Sequence, residues 1–197
     1  MRQASSRGRV ALFALILSPT VLLLGADAGS KPSAAPEGGR VDRGKYLVTI
    51  MGCNDCHTPW KMGANGAPEP DMTRMLSGHP EGMKMPPAPP PSGPWFASIG
   101  ATFTAFAGPF GTTYAINLTP DTNTGIGIWT EDIFVKALRT GKHMGTSRPI
   151  MPPMPWIWYK SATDEDLKAI YAYLRTIPPI VNRVPDYEEP KAPPAKK

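Results

Sequence analysis

Cysteine and histidine are both scarce in this chain. Cys53 and Cys56 are its two thiols and His57, His79 and His143 its three imidazoles, among 197 residues. Two thiols cannot make a disulfide scaffold, and a disulfide between them would leave the adjacent His57 unexplained. Structural zinc sites mostly take four ligands, and neither His79 nor His143 has the spacing of a zinc-binding pair. No block of Lys and Arg and no basic stripe interleaved with aromatics is present, so the formal net charge of +5 is no argument for nucleic acid. Internal repeats are lacking. Long apolar runs are lacking too, apart from one at the N-terminus.

That run, 10–24, is shorter than the roughly 20 residues a spanning helix needs, and Pro19 interrupts it. Arg2, Arg7 and Arg9 precede it, and Ala26-Asp27-Ala28 follows as a small-x-small cleavage site. This is the layout of a secretory signal over 1–28. It predicts export to the periplasm, with no transmembrane span in the mature chain. An uncleaved anchor is the competing reading. Arg2, Arg7 and Arg9 against Asp27 also take part of the net charge with them, leaving the mature chain mildly basic.

Proline is what the chain has in excess, at 25 residues. The stretch 61–94 holds nine of them together with Met62, Met72, Met75, Met83 and Met85. Fixed φ angles and missing N–H donors favour extended or polyproline-like backbone there, so 61–94 reads as an inserted surface loop. A copper(I) site built from thioethers is the sharper alternative, although the methionines follow no regular motif. The 29–40 leader is rich in Gly, Ser, Ala and Pro and reads as a flexible tether. The 186–197 tail reads as disordered.

Cys53-Asn54-Asp55-Cys56-His57 spells C-x-x-C-H, the attachment motif of a c-type haem. Two thiols three positions apart can form thioethers to the two vinyl groups on one porphyrin edge. The following imidazole is then held under the iron as proximal ligand. One such motif predicts one covalently attached haem c.

The rest of the pattern is helical. Asp42 is a candidate N-cap for a short helix over 43–51 that runs into the motif, with Gly44 as its small packing position. Thr130 caps a second helix, with Glu131 and Asp132 at its positive end and Gly141 as its stop. Thr163-Asp164-Glu165-Asp166 resembles a capping box with Asp for Glu. Leu167, Ile170, Tyr171 and Leu174 then follow at helical spacing. The segment 96–114 is apolar and aromatic, suited to short strands or an irregular loop over a flat cofactor. These elements predict one mainly helical domain over 41–185.

An imidazole on one side of the iron leaves the other side open. Met151-Pro152-Pro153-Met154-Pro155-Trp156 offers a thioether between prolines, which would hold it with little induced fit. Met154 is favoured as the second ligand. Met151 is the near competitor, and His79 and His143 are weaker ones. Both methionines could also merely pack beside the haem. Lys61, Arg74, Lys84, Lys142 and Arg148 flank this region in sequence. They either ring an exposed haem edge and steer an acidic partner or are ordinary solvated charges.

The order of parts resembles a class I-type cytochrome c. More closely, it resembles the cytochrome c modules of bacterial membrane-bound alcohol and gluconate dehydrogenases. The residues that carry the resemblance are Arg43-Gly44-Lys45-Tyr46-Leu47, Asn117-Leu118-Thr119-Pro120-Asp121 and Gly125-Ile126-Gly127-Ile128-Trp129-Thr130. Met154-Pro155-Trp156 with Tyr159, and then 166–175, complete it. The resemblance implies an all-α, cytochrome c-like fold of three to four short helices around one haem, with the Pro/Met-rich 61–94 loop inserted. It implies that the first and last helices cross, with Gly44 close to Tyr171 or Leu174, and that Met154 rather than Met151 is the axial ligand.

The expected function is one-electron transfer between a dehydrogenase or other donor and an oxidase or other cytochrome acceptor, not catalysis. Those dehydrogenase subunits usually carry three haem motifs, whereas this chain has one. A haem-based gas sensor or binder with a labile Met154 is the alternative from a different class.

Overall fold

The computed structural model describes residues 37–88 and 94–190, all within one unit of the chain. The expected signal and most of the leader lie outside the described residues. Five helices are present among them: α1 (Glu37–Ile50), α2 (Cys53–His57), α3 (Glu131–Thr140), α4 (Trp156–Tyr159) and α5 (Asp164–Leu174). Five short strands accompany them, β1 (Trp60–Met62), β2 (Pro68–Pro70), β3 (Ser98–Ile99), β4 (Ala105–Gly108) and β5 (Gly111–Tyr114). The all-α expectation therefore gives way to a helical framework with antiparallel additions.

Local signals account for α3 and α5. The Thr130 hydroxyl accepts from the Ile133 N–H at 3.2 Å, and the Thr163 hydroxyl from the Asp166 N–H at 3.1 Å. Gly141 closes α3 with φ +65°, a left-handed conformation in which a Cβ is unfavourable. The capping box on α5 is half formed. The Asp166 carboxylate accepts from Arg43 at 2.9 Å instead of reaching back to its own N-terminus.

Helix α1 begins earlier than its local signals suggest. Asp42 lies inside it rather than capping it, and part of the expected leader is helical. The reason is tertiary: Arg40 pairs with Glu131 on α3 and donates to the Lys168 carbonyl on α5 at 3.1 Å. These anchors tie the first turn of α1 to α3 and α5.

α1 and α5 cross as the resemblance implied, one step away from the expected contact. A Cβ on Gly44 would strike the carbonyl oxygen of Ala169 and lie 2.8 Å from Tyr173 Cβ. The partners are thus Ala169 and Tyr173, not Tyr171 or Leu174. Leu47 and Val48 from α1, Phe134, Ala137 and Leu138 from α3, and Leu167, Ile170 and Leu174 from α5 form the shared core.

The described part of the Pro/Met-rich stretch is not plain loop: β1 and β2 pair as an antiparallel hairpin, Trp60 opposite Pro70. Beyond that stretch, in the apolar and aromatic segment 96–114, β3, β4 and β5 form an antiparallel sheet. Between β2 and β3 in sequence, Leu76 and His79 are completely buried. Leu76 takes φ +60°, which costs roughly 1–2 kcal/mol for an L-residue. Burial and two hydrogen bonds offset that cost: its N–H donates to Thr58 Oγ1 and its carbonyl accepts from Leu118, both at 2.9 Å. The methionines are not gathered at one depth: Met75 packs on the core, whereas Met62, Met72 and Met83 are exposed.

Asn182 ties this stretch to the C-terminal segment. Its amide donates to the carbonyls of Ser77 at 2.7 Å and His79 at 2.9 Å, while its Oδ1 accepts from the Glu81 N–H and from Arg74. The chain past 185 is also held. Glu188 exchanges backbone bonds with Thr112 at 2.9 Å and accepts from the Tyr114 hydroxyl, and the Tyr187 hydroxyl donates to the Phe110 carbonyl. The expected disorder from 186 onward therefore does not extend to these residues, and 191–197 lie outside the described ones.

Two stability predictions follow from these contacts. Gly44→Ala should lower the unfolding free energy by about 1–3 kcal/mol, since the overpacked helix crossing outweighs the gain in helix propensity. Asn182→Ala should cost about 3 kcal/mol by leaving buried carbonyls unpaired. Denaturant titration of the intact protein reads both.

Candidate cofactor site

Helix α1 passes into α2 through Met51 and Gly52. Gly52 adopts φ +68°, and a Cβ there would sit 2.8 Å from the Asp55 carboxylate. This left-handed residue turns the chain so that Cys53, Cys56 and His57 follow within one short helix. His57 is buried, and its Nδ1 lies 2.8 Å from the carbonyl oxygen of Ile116. A carbonyl only accepts, so Nδ1 carries the hydrogen and Nε2 keeps its lone pair. Burial holds the imidazole below its ordinary pKa, against the raising effect of that hydrogen bond. A neutral ring of fixed tautomer is what a metal-ligating histidine requires.

Cys53, Cys56 and His57 line a cavity of about 340 Å³, in the range of small-molecule and cofactor sites. Ile116 and Leu118, Phe134 and Leu138 of α3, and Ile170 and Leu174 of α5 supply apolar wall. Both cysteines are free. Burial pushes the Cys53 thiol up to about 12, and burial with the nearby Asp55 charge raises Cys56 as well. Redox-active dithiols instead carry a depressed pKa, so this pair lacks the thiolate character of a thiol-exchange site. Apolar walls, paired thiols and a neutral imidazole fit an iron porphyrin.

The comparisons point to the same chemistry. No family model matches the chain. It is 29% identical over 169 residues to the fructose dehydrogenase cytochrome subunit of Gluconobacter japonicus, covering 84% of this chain and 28% of that protein. The gluconate 2-dehydrogenase cytochrome c subunit of Pantoea cypripedii is 40% identical over 85 residues, 43% of this chain and 19% of the relative. The cytochrome c subunit of a quinone alcohol dehydrogenase from Gluconobacter oxydans is 25% identical over 177 residues, 88% and 30% of the two chains.

The chain is a relative of dehydrogenase cytochrome c subunits. It spans no more than 30% of the length of any of these three. The kinship supports an electron-transfer cytochrome and implies haem c.

Both Met151 and Met154 line the cavity, so each stays a candidate for the second ligand. Met154 also packs against the main core. Its segment is anchored downstream, where the Tyr159 hydroxyl donates to the Met51 carbonyl just before α2. Burial raises that hydroxyl to about 12. His79, one of the weaker ligand candidates, has both nitrogens engaged, Nδ1 with Thr104 Oγ1 and Nε2 with the Met83 carbonyl, each at 2.9 Å. His143 does line the cavity.

The five flanking cations do not share one set of contacts. Lys61 pairs with Asp71, Arg74 turns to Asn182, and of the five Arg148 lines the cavity. The Ile116 carbonyl and the Asn182 clamp were not read from the sequence. The first acts through backbone and the second through long-range contacts, so neither leaves a local signature.

Tyr159→Phe should cost about 1 kcal/mol by removing the bond to Met51. Comparing the denaturant midpoints of the haem-loaded wild type and variant measures that loss.

Proposed function

We propose that this chain is a periplasmic monohaem c-type cytochrome that carries single electrons from a dehydrogenase or other donor to a respiratory acceptor. The observation that carries the reading is that Cys53, Cys56, His57 and Met154 line one apolar cavity. Cys53 and Cys56 would supply the two thioethers, His57 the proximal nitrogen and Met154 the opposing sulfur. A haem held this way supplies reversible one-electron chemistry at iron with no substrate bond made or broken.

The residues around it have separable roles. The Ile116 carbonyl fixes the His57 tautomer and makes its free nitrogen a better donor. The walls from α3 and α5 exclude water, which disfavours the extra positive charge of the oxidised state and raises the potential. The Met154 thioether acts in the same direction. Prolines on both sides of Met154 and the Tyr159 anchor limit its movement between oxidation states.

Periplasmic location rests on the basic and apolar N-terminal pattern, and a single haem on the one C-x-x-C-H motif in these residues. A dehydrogenase partner rests on the names of the relatives. Among the described residues no helix is long and apolar enough to cross a membrane.

The test is made on protein exported from a host that matures c-type cytochromes. The intact mass should exceed the processed polypeptide by one haem. The ferric spectrum should show a sulfur-to-iron charge-transfer band that Met154→Ala removes while lowering the reduction potential. Loss of the band in Met151→Ala instead would reassign the ligand. Ready binding of carbon monoxide by the ferrous wild type at neutral pH would favour the gas-binding alternative over the carrier.

A further inference from the structure

We infer that Arg148 and His143 form a carboxylate-binding end of the cavity, built to take the propionates of the cofactor; this rests on the haem reading above. Among the described residues, Arg148 is the one Lys or Arg side chain on the cavity wall. It forms no ion pair among them, and its guanidinium makes a single long bond of 3.4 Å to the neighbouring Pro149 carbonyl. A guanidinium on the wall of an apolar cavity with its fork largely unused can receive an anion in bidentate geometry.

His143 stands next to it. Its ring meets Trp129 edge-on at 5.2 Å and 83°, and its nitrogens make no hydrogen bond among the described residues. Burial, and then the charge of Arg148, hold the imidazole below its ordinary pKa, so the two groups are close enough to feel each other. Asp55, the charged residue on the α2 part of the wall, would repel a carboxylate.

The position is built into the backbone. The His143 N–H donates to the Arg148 carbonyl at 2.9 Å, and the Ile150 N–H to the Gly141 carbonyl at 2.8 Å, closing the segment between them. Gly141 and Gly145 make the turn with φ +65° and +75°, where a Cβ would meet Trp156 and Lys136. Trp129, which His143 leans on, is itself held by the Tyr171 hydroxyl on its carbonyl at 2.5 Å.

The chemistry of the macrocycle completes the argument. Its propionates lie on the edge away from the vinyl groups, so an element other than α2 must receive them. The planar guanidinium fork matches a carboxylate in a way that an ammonium does not.

The experiment compares haem-loaded wild type with Arg148→Gln, Arg148→Lys, His143→Gln and Lys142→Gln. The last removes the same charge from the same segment but at an exposed side chain off the cavity wall. Redox-difference infrared spectra read the propionate carboxylate stretch, and titration reads the midpoint potential. Arg148→Gln should shift the carboxylate band and lower the potential, because a cation that disfavours oxidised iron is gone. Arg148→Lys should recover the potential in part but not the band, and His143→Gln should shift the band independently. Lys142→Gln should do neither.

If Arg148→Gln and His143→Gln both match Lys142→Gln in haem-loaded protein, this inference is overturned alone. A wild type lacking covalent haem overturns the haem reading and this inference together.

Discussion

The hydrogen bond from His57 Nδ1 to the carbonyl of Ile116 joins the short cysteine-bearing helix to the segment facing it across the chain. Much of the architecture serves to hold those two pieces in register. The neighbouring backbone repeats the connection: Gly78 donates to the His57 carbonyl, His79 to that of Ala115, and Leu118 to that of Leu76. Asn117 then fastens the same segment to the C-terminal stretch through the Ile180 carbonyl at 2.8 Å. Withdrawing the imidazole from that carbonyl would free the tautomer and the ring orientation at once. A buried ring with an unfixed nitrogen is a poor ligand.

A second constraint comes from the helices. α1 and α5 approach so closely at Gly44 that no side chain fits, and this crossing sets the position from which α1 feeds α2. α3 completes the apolar wall, and its glycine stop leads directly into the segment that carries His143 and Arg148. Scaffold and site are therefore the same contacts seen from two sides. Leu138, Ile170 and Leu174 are core residues on one count and cavity lining on the other.

The strands show how a polar-looking insertion can be structural. Composition marks 61–94 as loop because proline denies the backbone its usual donors. Yet Leu76 and His79 from that stretch are among the most buried side chains, and Asn182, far along the chain, satisfies the carbonyls around them. Likewise the Arg40 pairing extends α1 beyond the cap that local chemistry would choose. Contacts between residues distant in sequence decided these cases, and hydrophobic periodicity carries no trace of them.

What the sequence determined unaided was the chemistry on offer and the local geometry. It contained two thiols and an imidazole at attachment spacing, a methionine between prolines, and Thr130, Gly141 and Thr163 as helix boundaries. Such features depend on bonds within a few residues, so a linear pattern can hold them. Only the tertiary structure decided that His79 is consumed by Thr104 and Met83, and that Arg148 rather than Lys61 or Arg74 reaches the cavity. It also decided that Glu188 is pinned against β5. Those outcomes follow from which groups are left to satisfy one another once water is excluded, and that is known only after the chain has closed on itself.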